Sequence, residues 1–324
     1  MYFNATDFDK AQDMYVKALE TDKDHEEANM RLAQIYAIRG FIKKAITQNY
    51  EVVRILEAHG QTDRALRVAS QTQGLNPEDD RIRKKLILIY KRLNEEHNFV
   101  AECLGLSQVY LEKGQENDAV KLLKKVIEDH PENGELGVGL AELYMRIGHL
   151  NEASEQFRRV GAHFLKSGFK KEAADAFRKL KLLGSADQNI IMTLGNLDIE
   201  LGNLDAAESA FRDALKLDIN NADALTGLGR VCYEKGAYRD AMLAFSKIVK
   251  INTRDIKAKE KLADLQNLTG NKPLAAKSYI EIAMHYQGEG DIERALELFK
   301  KALEMEPGNT TASREITALE KLIL

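Results

Sequence analysis

The sequence predicts an all-α solenoid, and three observations carry that expectation. They are a helix-favouring composition, a regular series of helix-ending glycines, and small-plus-aromatic residue pairs along single helix faces. Ala, Leu, Lys and Glu dominate the 324 residues, Trp is absent and only four prolines occur. Straight side chains lose little rotamer freedom in a helix, so this mixture favours helix over strand. Pro77, Pro131 and Pro307 fall outside the apolar-periodic stretches, and Pro273 follows Gly270 closely enough to sit in the first turn of a helix, where proline is tolerated.

The glycines set the repeat. Gly40, Gly60, Gly114, Gly148, Gly168, Gly202, Gly236, Gly270 and Gly290, with Asn94 filling one place, are separated by 20, 34, 20, 34, 20, 34, 34, 34 and 20 residues. Gly and Asn both accept positive φ, which ends one helix and turns the chain into the next.

Residues around those turns form two recurring motifs. The first is Leu32-Ala33…Tyr36, Leu106-Ser107…Tyr110, Leu140-Ala141…Tyr144 and Ile282-Ala283…Tyr286. The second is Ala153…Phe157, Ala173…Phe177, Ala207…Phe211, Ala241…Phe245, Ala275…Tyr279 and Ala295…Phe299, with closing prolines at Pro77, Pro131 and Pro307. Together they resemble the tetratricopeptide repeat of bacterial proteins, over nearly the whole chain. The resemblance implies a right-handed superhelical solenoid of about 17–18 antiparallel helices, in which small residues let neighbours approach and stacking hides a continuous core.

The 20-residue gaps depart from that family's usual period of about 34. In each, a second-helix motif runs straight into the next first-helix motif. Ala153, Phe157, Val160, Gly161 and Phe164 share one helix face, as do Ala275, Tyr279, Ile282, Ala283 and Tyr286. Fused longer helices are therefore expected near 41–58, 95–113, 149–167 and 271–289. Residues 1–324 read as a single solenoid: three-helix units of 54 residues over 1–186, ordinary 34-residue repeats over 187–270, then a fused helix, last repeat and polar C-terminal cap over 271–324. Near the start, Ala11…Tyr15…Ala18 is a second helix lacking most of its first, which points to a fragment of a longer protein.

Composition excludes several functions. A formal net charge of −4 lacks the cationic surplus that duplex nucleic acid demands. No apolar run is long enough to span a membrane, and Met1-Tyr2-Phe3-Asn4 lacks the form of a secretory signal, so a cytoplasmic location is expected. A periplasmic or envelope location follows if a leader preceded the chain. Cys103 and Cys232 do not make a disulfide framework. The histidines His25, His59, His97, His130, His149, His163 and His285 are scattered without zinc-ligand spacing, and Gly134, Gly137 and Gly139 fall in an expected helix rather than after a strand. No metal, cofactor or catalytic residue is expected. The mid-helix glycines, with Gly227 and Gly229, read as close helix packing.

The function expected is a non-catalytic scaffold or adaptor binding peptides or helices of partner proteins. The family resemblance places the groove on the first helices, where Asn189, Met192, Asn196, Ile199, Thr226, Arg230 and Tyr233 are the candidate partner-binding residues. The carboxylate clamp of chaperone-binding relatives is not matched, because Glu260 and Asp264 stand where cations would help. Residues 158–181 carry eight basic against two acidic side chains, and 187–223 eight acidic against two basic. Opposite blocks of +6 and −6 raise self-association as the runner-up, and a binding arm of a larger enzyme as a third reading.

Overall fold

A computed structural model describes residues 8–323, so the Met1–Asn4 segment lies outside the described residues. Among those residues there are eighteen α-helices and no strand. The chain divides into two compact units, up to Val160 and from Gly161. The first contains α1 (Phe8–Thr21), α2 (Glu26–Ile38), α3 (Ile42–Ala58), α4 (Thr62–Leu75), α5 (Asp80–Leu93), α6 (Glu96–Glu112), α7 (Glu116–Asp129) and α8 (Gly134–Arg146). Helix α9 (Leu150–Lys166) includes the boundary. The second contains α10 (Lys170–Leu182), α11 (Gln188–Glu200), α12 (Leu204–Leu217), α13 (Ala222–Glu234), α14 (Tyr238–Ile251), α15 (Ile256–Leu268), α16 (Lys272–Glu289), α17 (Ile292–Met305) and α18 (Thr310–Ile323).

The four long helices stand where the compound period places them: α3, α6 and α9 have 17 residues each and α16 has 18, against 13 or 14 for the others. Their shared faces are buried. Ala153, Phe157 and Val160 on α9, and Ala275, Tyr279, Ile282 and Ala283 on α16, are all inaccessible or nearly so. Pro273 lies in the first turn of α16.

Two kinds of junction recur. At the glycine turns the residue after the glycine donates its N–H to a carbonyl five residues back, as Phe41 does to Tyr36 at 2.8 Å and Ala237 to Cys232 at 2.8 Å. The intervening glycine adopts φ of +70 to +83°, and Asn94 takes the same left-handed role at +54°. The other junction uses side-chain caps that the glycine series does not reveal. His25, Asp79, Asn133, Asp187, Asn221, Asp255 and Asn309 each accept a backbone N–H from the first turn of the following helix. Their spacings are 54, 54, 54, 34, 34 and 54 residues. A cap satisfies one of the four orphan N–H groups at a helix start, worth about 1 kcal/mol. Gly184, at φ +70°, is a turn outside the 20/34 series; it ends α10 where other second helices run toward a proline or an extended residue.

The mid-helix glycines are packing devices. A Cβ built on Gly195 would lie 2.9 Å from the Phe211 ring, and one on Gly227 would overlap the same ring from α13. Gly161 meets Phe177 and Gly229 meets Phe245 in the same way, while Gly137 meets Val160 in the first unit. Phe211 is fully buried between its two glycines. Burying such a ring contributes about 1.5–3 kcal/mol, which outweighs the roughly 0.5–1 kcal/mol each glycine costs the helix.

At the end of the chain Ala312 and Leu319 of α18 are buried against the α16–α17 core. Ser313, Arg314 and Lys321 of α18 are exposed, and Glu315 is half-buried.

Candidate functional site

Helices α11 and α13 lie side by side with α12 behind them, and the space between them is a cleft of about 610 Å³. Gln188, Asn189, Met192, Thr193 and Asn196 of α11 line one wall; Asn221, Asp223, Thr226, Gly227 and Arg230 line the other. Five of the sequence-derived candidates are brought together here: Asn189, Met192, Asn196, Thr226 and Arg230. Ile199 is half-buried and packs against Ala207, Phe211 and Val231, so it belongs to the core beneath the cleft. Tyr233 is 47% exposed but lies beyond the lining, with its ring 5.6 Å from that of Tyr238.

The lining residues that spacing overlooked are Gln188, Thr193, Asn221 and Gly227, while Asp223 continues the row of Thr226 and Arg230 one turn earlier. Positions one turn apart on a helix give one row of a wall, whereas a cleft also takes the adjacent row and the capping residue at its mouth. Asn221 does both, since its Oδ1 accepts the Ala224 N–H at 2.8 Å. The 34-residue interval from Asp187 to Asn221 to Asp255 is the signal that could have found it.

Hydrogen bonding sorts the donors. Thr193 Oγ1 donates to the Asn189 carbonyl and Thr226 Oγ1 to the Ala222 carbonyl, both at 2.8 Å, so these hydroxyls are engaged with their own helices. Asn189 and Asn196 present their amides at the surface, and the Nε2 of Gln188 is buried without a hydrogen-bond partner. Arg230 is held only loosely by Glu234, at 3.6 Å. Met192 is the one long apolar side chain in the lining, and it also packs into the core. Such a surface suits polar recognition. Nothing in it positions a nucleophile beside a base.

A second cleft of the same register occurs in the first unit. Leu104, Ser107 and Gln108 of α6 face Gly139, Glu142, Leu143 and Arg146 of α8 across about 210 Å³. The C-terminal half of a fused helix therefore serves as a groove wall in the same way as an ordinary first helix.

Other candidates are structural. Burial pushes the Cys103 thiol up to about 12, leaving it unreactive at neutral pH, and burial also raises the Cys232 thiol. Among the described residues no group of three or more His, Cys, Asp or Glu could hold a metal, and no helix is long and apolar enough to cross a membrane. The opposite charge blocks pair with each other inside the second unit. Lys170 meets Glu200 at 2.9 Å, Lys181 meets Asp213 at 2.5 Å, and Arg178 reaches Asp198, which is 1% exposed. These pairs engage three basic residues of one block with three acidic residues of the other.

Antiparallel helices joined by tight turns, small residues set against aromatic ones and grooves between alternate helices define an α-solenoid protein-interaction repeat. The chain is a tetratricopeptide-repeat protein: tetratricopeptide-repeat family models match residues 110–167, 192–256 and 276–309. It is 26% identical over 187 residues to human protein O-mannosyl-transferase TMTC1, covering 52% of this chain and 21% of that protein. It is 27% identical over 155 residues to lipopolysaccharide assembly protein B of Haemophilus influenzae, covering 48% of this chain and 39% of the relative. TPR repeat-containing protein YpiA of Bacillus subtilis is 20% identical over 337 residues, covering 93% and 77%. The chain thus spans about a fifth and two fifths of the first two relatives. Among solved structures it is similar to MamA, at 26% identity over 62% of this chain and 94% of MamA, with a TM-score of 0.28. It is also similar to YrrB, described as a TPR protein with an unusual peptide-binding site, at 18% identity, coverage of 59% and 96%, and a TM-score of 0.32.

Proposed function

We propose that this protein is a scaffold or adaptor whose α11–α13 cleft docks an extended polar segment of a partner protein. Protein interaction is the general role of the repeat family, and the family is generally non-catalytic. The finer reading is carried by one observation: the cleft is walled by exposed amides and a loosely held arginine, with Met192 as its only long apolar side chain. An amphipathic helix docks through a row of apolar anchors, which this cleft does not answer. Side-chain amides can pair with the N–H and C=O groups of an extended backbone, and Arg230 can pair with a carboxylate.

The test is affinity capture from source cells with the intact chain beside an Asn189→Ala/Asn196→Ala/Arg230→Ala variant. Thermal melting establishes that the variant remains folded. Partners held by the parent and lost by the variant are the expected result. Retention of every partner would place docking elsewhere.

The match to TMTC1 supports a second reading, in which the repeats are the binding arm of a larger enzyme. The full-length reading frame in the source genome distinguishes it, because an adaptor needs no adjoining catalytic domain.

A further inference from the structure

Building on that docking reading, we infer that the α11–α13 cleft selects a polyproline-II-like segment carrying a cation and a carboxylate three residues apart. The cation lies at the Asp223 end and the carboxylate at the Arg230 end. Asp223 and Arg230 are the charged residues in the lining, and the α11 wall holds neutral Asn189 and Asn196 at the same register. Seven residues separate the two charges along one helix. At 1.5 Å per residue their Cα atoms are about 10.5 Å apart along the helix axis.

The ligand's backbone geometry follows from that distance. A β-strand places same-face side chains two or four residues apart, at roughly 7 or 14 Å, and both miss the interval. A polyproline-II segment has three residues per turn and a 3.1 Å rise, so residues i and i+3 share a face about 9.3 Å apart. Its N–H and C=O groups make no internal hydrogen bonds, which leaves them available to Gln188, Asn189 and Asn196. The polyproline-II interval leaves the smallest mismatch for the side chains to cover, about 1 Å against about 3.5 Å for either strand spacing.

The neighbouring helix sharpens the assignment. Thirty-four residues on, α15 carries Lys257 and Asp264 at the positions of Asp223 and Arg230, with the signs reversed. A segment lying against both α13 and α15 would meet opposing charges at each end. Packed helices sit about 8–10 Å apart, close to one Debye length at physiological salt, so the reversed pair acts on the α11–α13 cleft through partial screening. Asp264 is in addition engaged by the Tyr279 hydroxyl at 2.8 Å.

Selection of a displayed random peptide library on the whole chain, in parallel with an Asp223→Lys/Arg230→Glu variant, tests this. Both positions are exposed, so the variant keeps its core. The parent should enrich cation–carboxylate pairs at i,i+3 by about tenfold over the naive library, as expected for two exposed ion pairs acting together. The charge-swapped variant should enrich the same spacing in reversed order. Peptides enriched without the pair, and lost from an Asn189→Ala/Asn196→Ala variant, would overturn the charge rule while leaving the docking reading intact. An unchanged order on the swapped variant would likewise overturn it. No enrichment on either protein would remove both.

Discussion

The cleft between α6 and α8 and the cleft between α11 and α13 use the same register of two helices lying side by side. One nevertheless encloses about 210 Å³ and the other about 610 Å³. Gly139 and Gly227 occupy matching places, but different side chains meet them. Over Gly139 lies Leu104, which itself lines the smaller cleft; against Gly227 lies Phe211, fixed in the core below. Arg146 of α8 also reaches across to Gln108 of α6 and ties the smaller cleft's walls together, whereas Arg230 turns toward Glu234 on its own helix. The smaller groove is thus the one whose walls intrude into it and are tied together.

Four measurements can break or sharpen that contrast. Phe211→Ala should be the most damaging, lowering stability by about 3–5 kcal/mol in denaturant titrations, because a fully buried ring between two helices leaves a cavity. A loss below about 1 kcal/mol would mean the floor of the larger cleft is not rigid.

The matched pair Gly227→Ala and Gly139→Ala is the sharper test. At 227 the new methyl meets the sandwiched Phe211 ring, and overpacking of about 1–3 kcal/mol exceeds the roughly 1 kcal/mol gained in helix propensity. At 139 the Leu104 methyl can rotate into open space, so stability should stay within about 0.5 kcal/mol of the parent. Equal losses in thermal melts would contradict the distinction.

Asn221→Ala removes the cap at the mouth of the larger cleft and should cost about 1 kcal/mol. Hydrogen exchange should show the loss first at the Ala224 amide.

The smallest effect concerns Asp213, whose carboxylate is held below its ordinary range by hydrogen bonds from Lys181 and Lys216. A depressed folded value means stabilisation at neutral pH that is lost as pH falls through that value. Asp213→Asn should therefore cost about 0.5–1 kcal/mol at pH 7 and nothing once the carboxyl is protonated. A difference from parent that persists in acid would assign the effect to packing.

Much of the fold was legible because its two signals are local. Glycines that require positive φ mark the helix ends, and the Ala-x3-Phe spacing marks the buried face, so the four long helices were placed within a residue or so at each end. Gly184 escaped because it lies 16 residues after Gly168, outside either interval. The cap series escaped because His25 and the Asx residues look like ordinary loop residues until their side chains are seen to accept N–H groups. In the cleft, one row of α11 and α13 was readable from helical spacing. Ile199 lies outside the lining because its half-burial against the Phe211 cluster depends on the neighbouring helix, which no spacing on α11 encodes.

A fused helix also changes direction bookkeeping along the first unit. Because neighbours are antiparallel, a three-helix block leaves α5 running opposite to α2, and α8 opposite to α5, while a two-helix block leaves α11 and α13 pointing the same way. Equivalent side chains in successive 54-residue blocks thus sit on helices of opposite heading. The ordinary repeats over 187–270 keep that heading constant from one copy to the next.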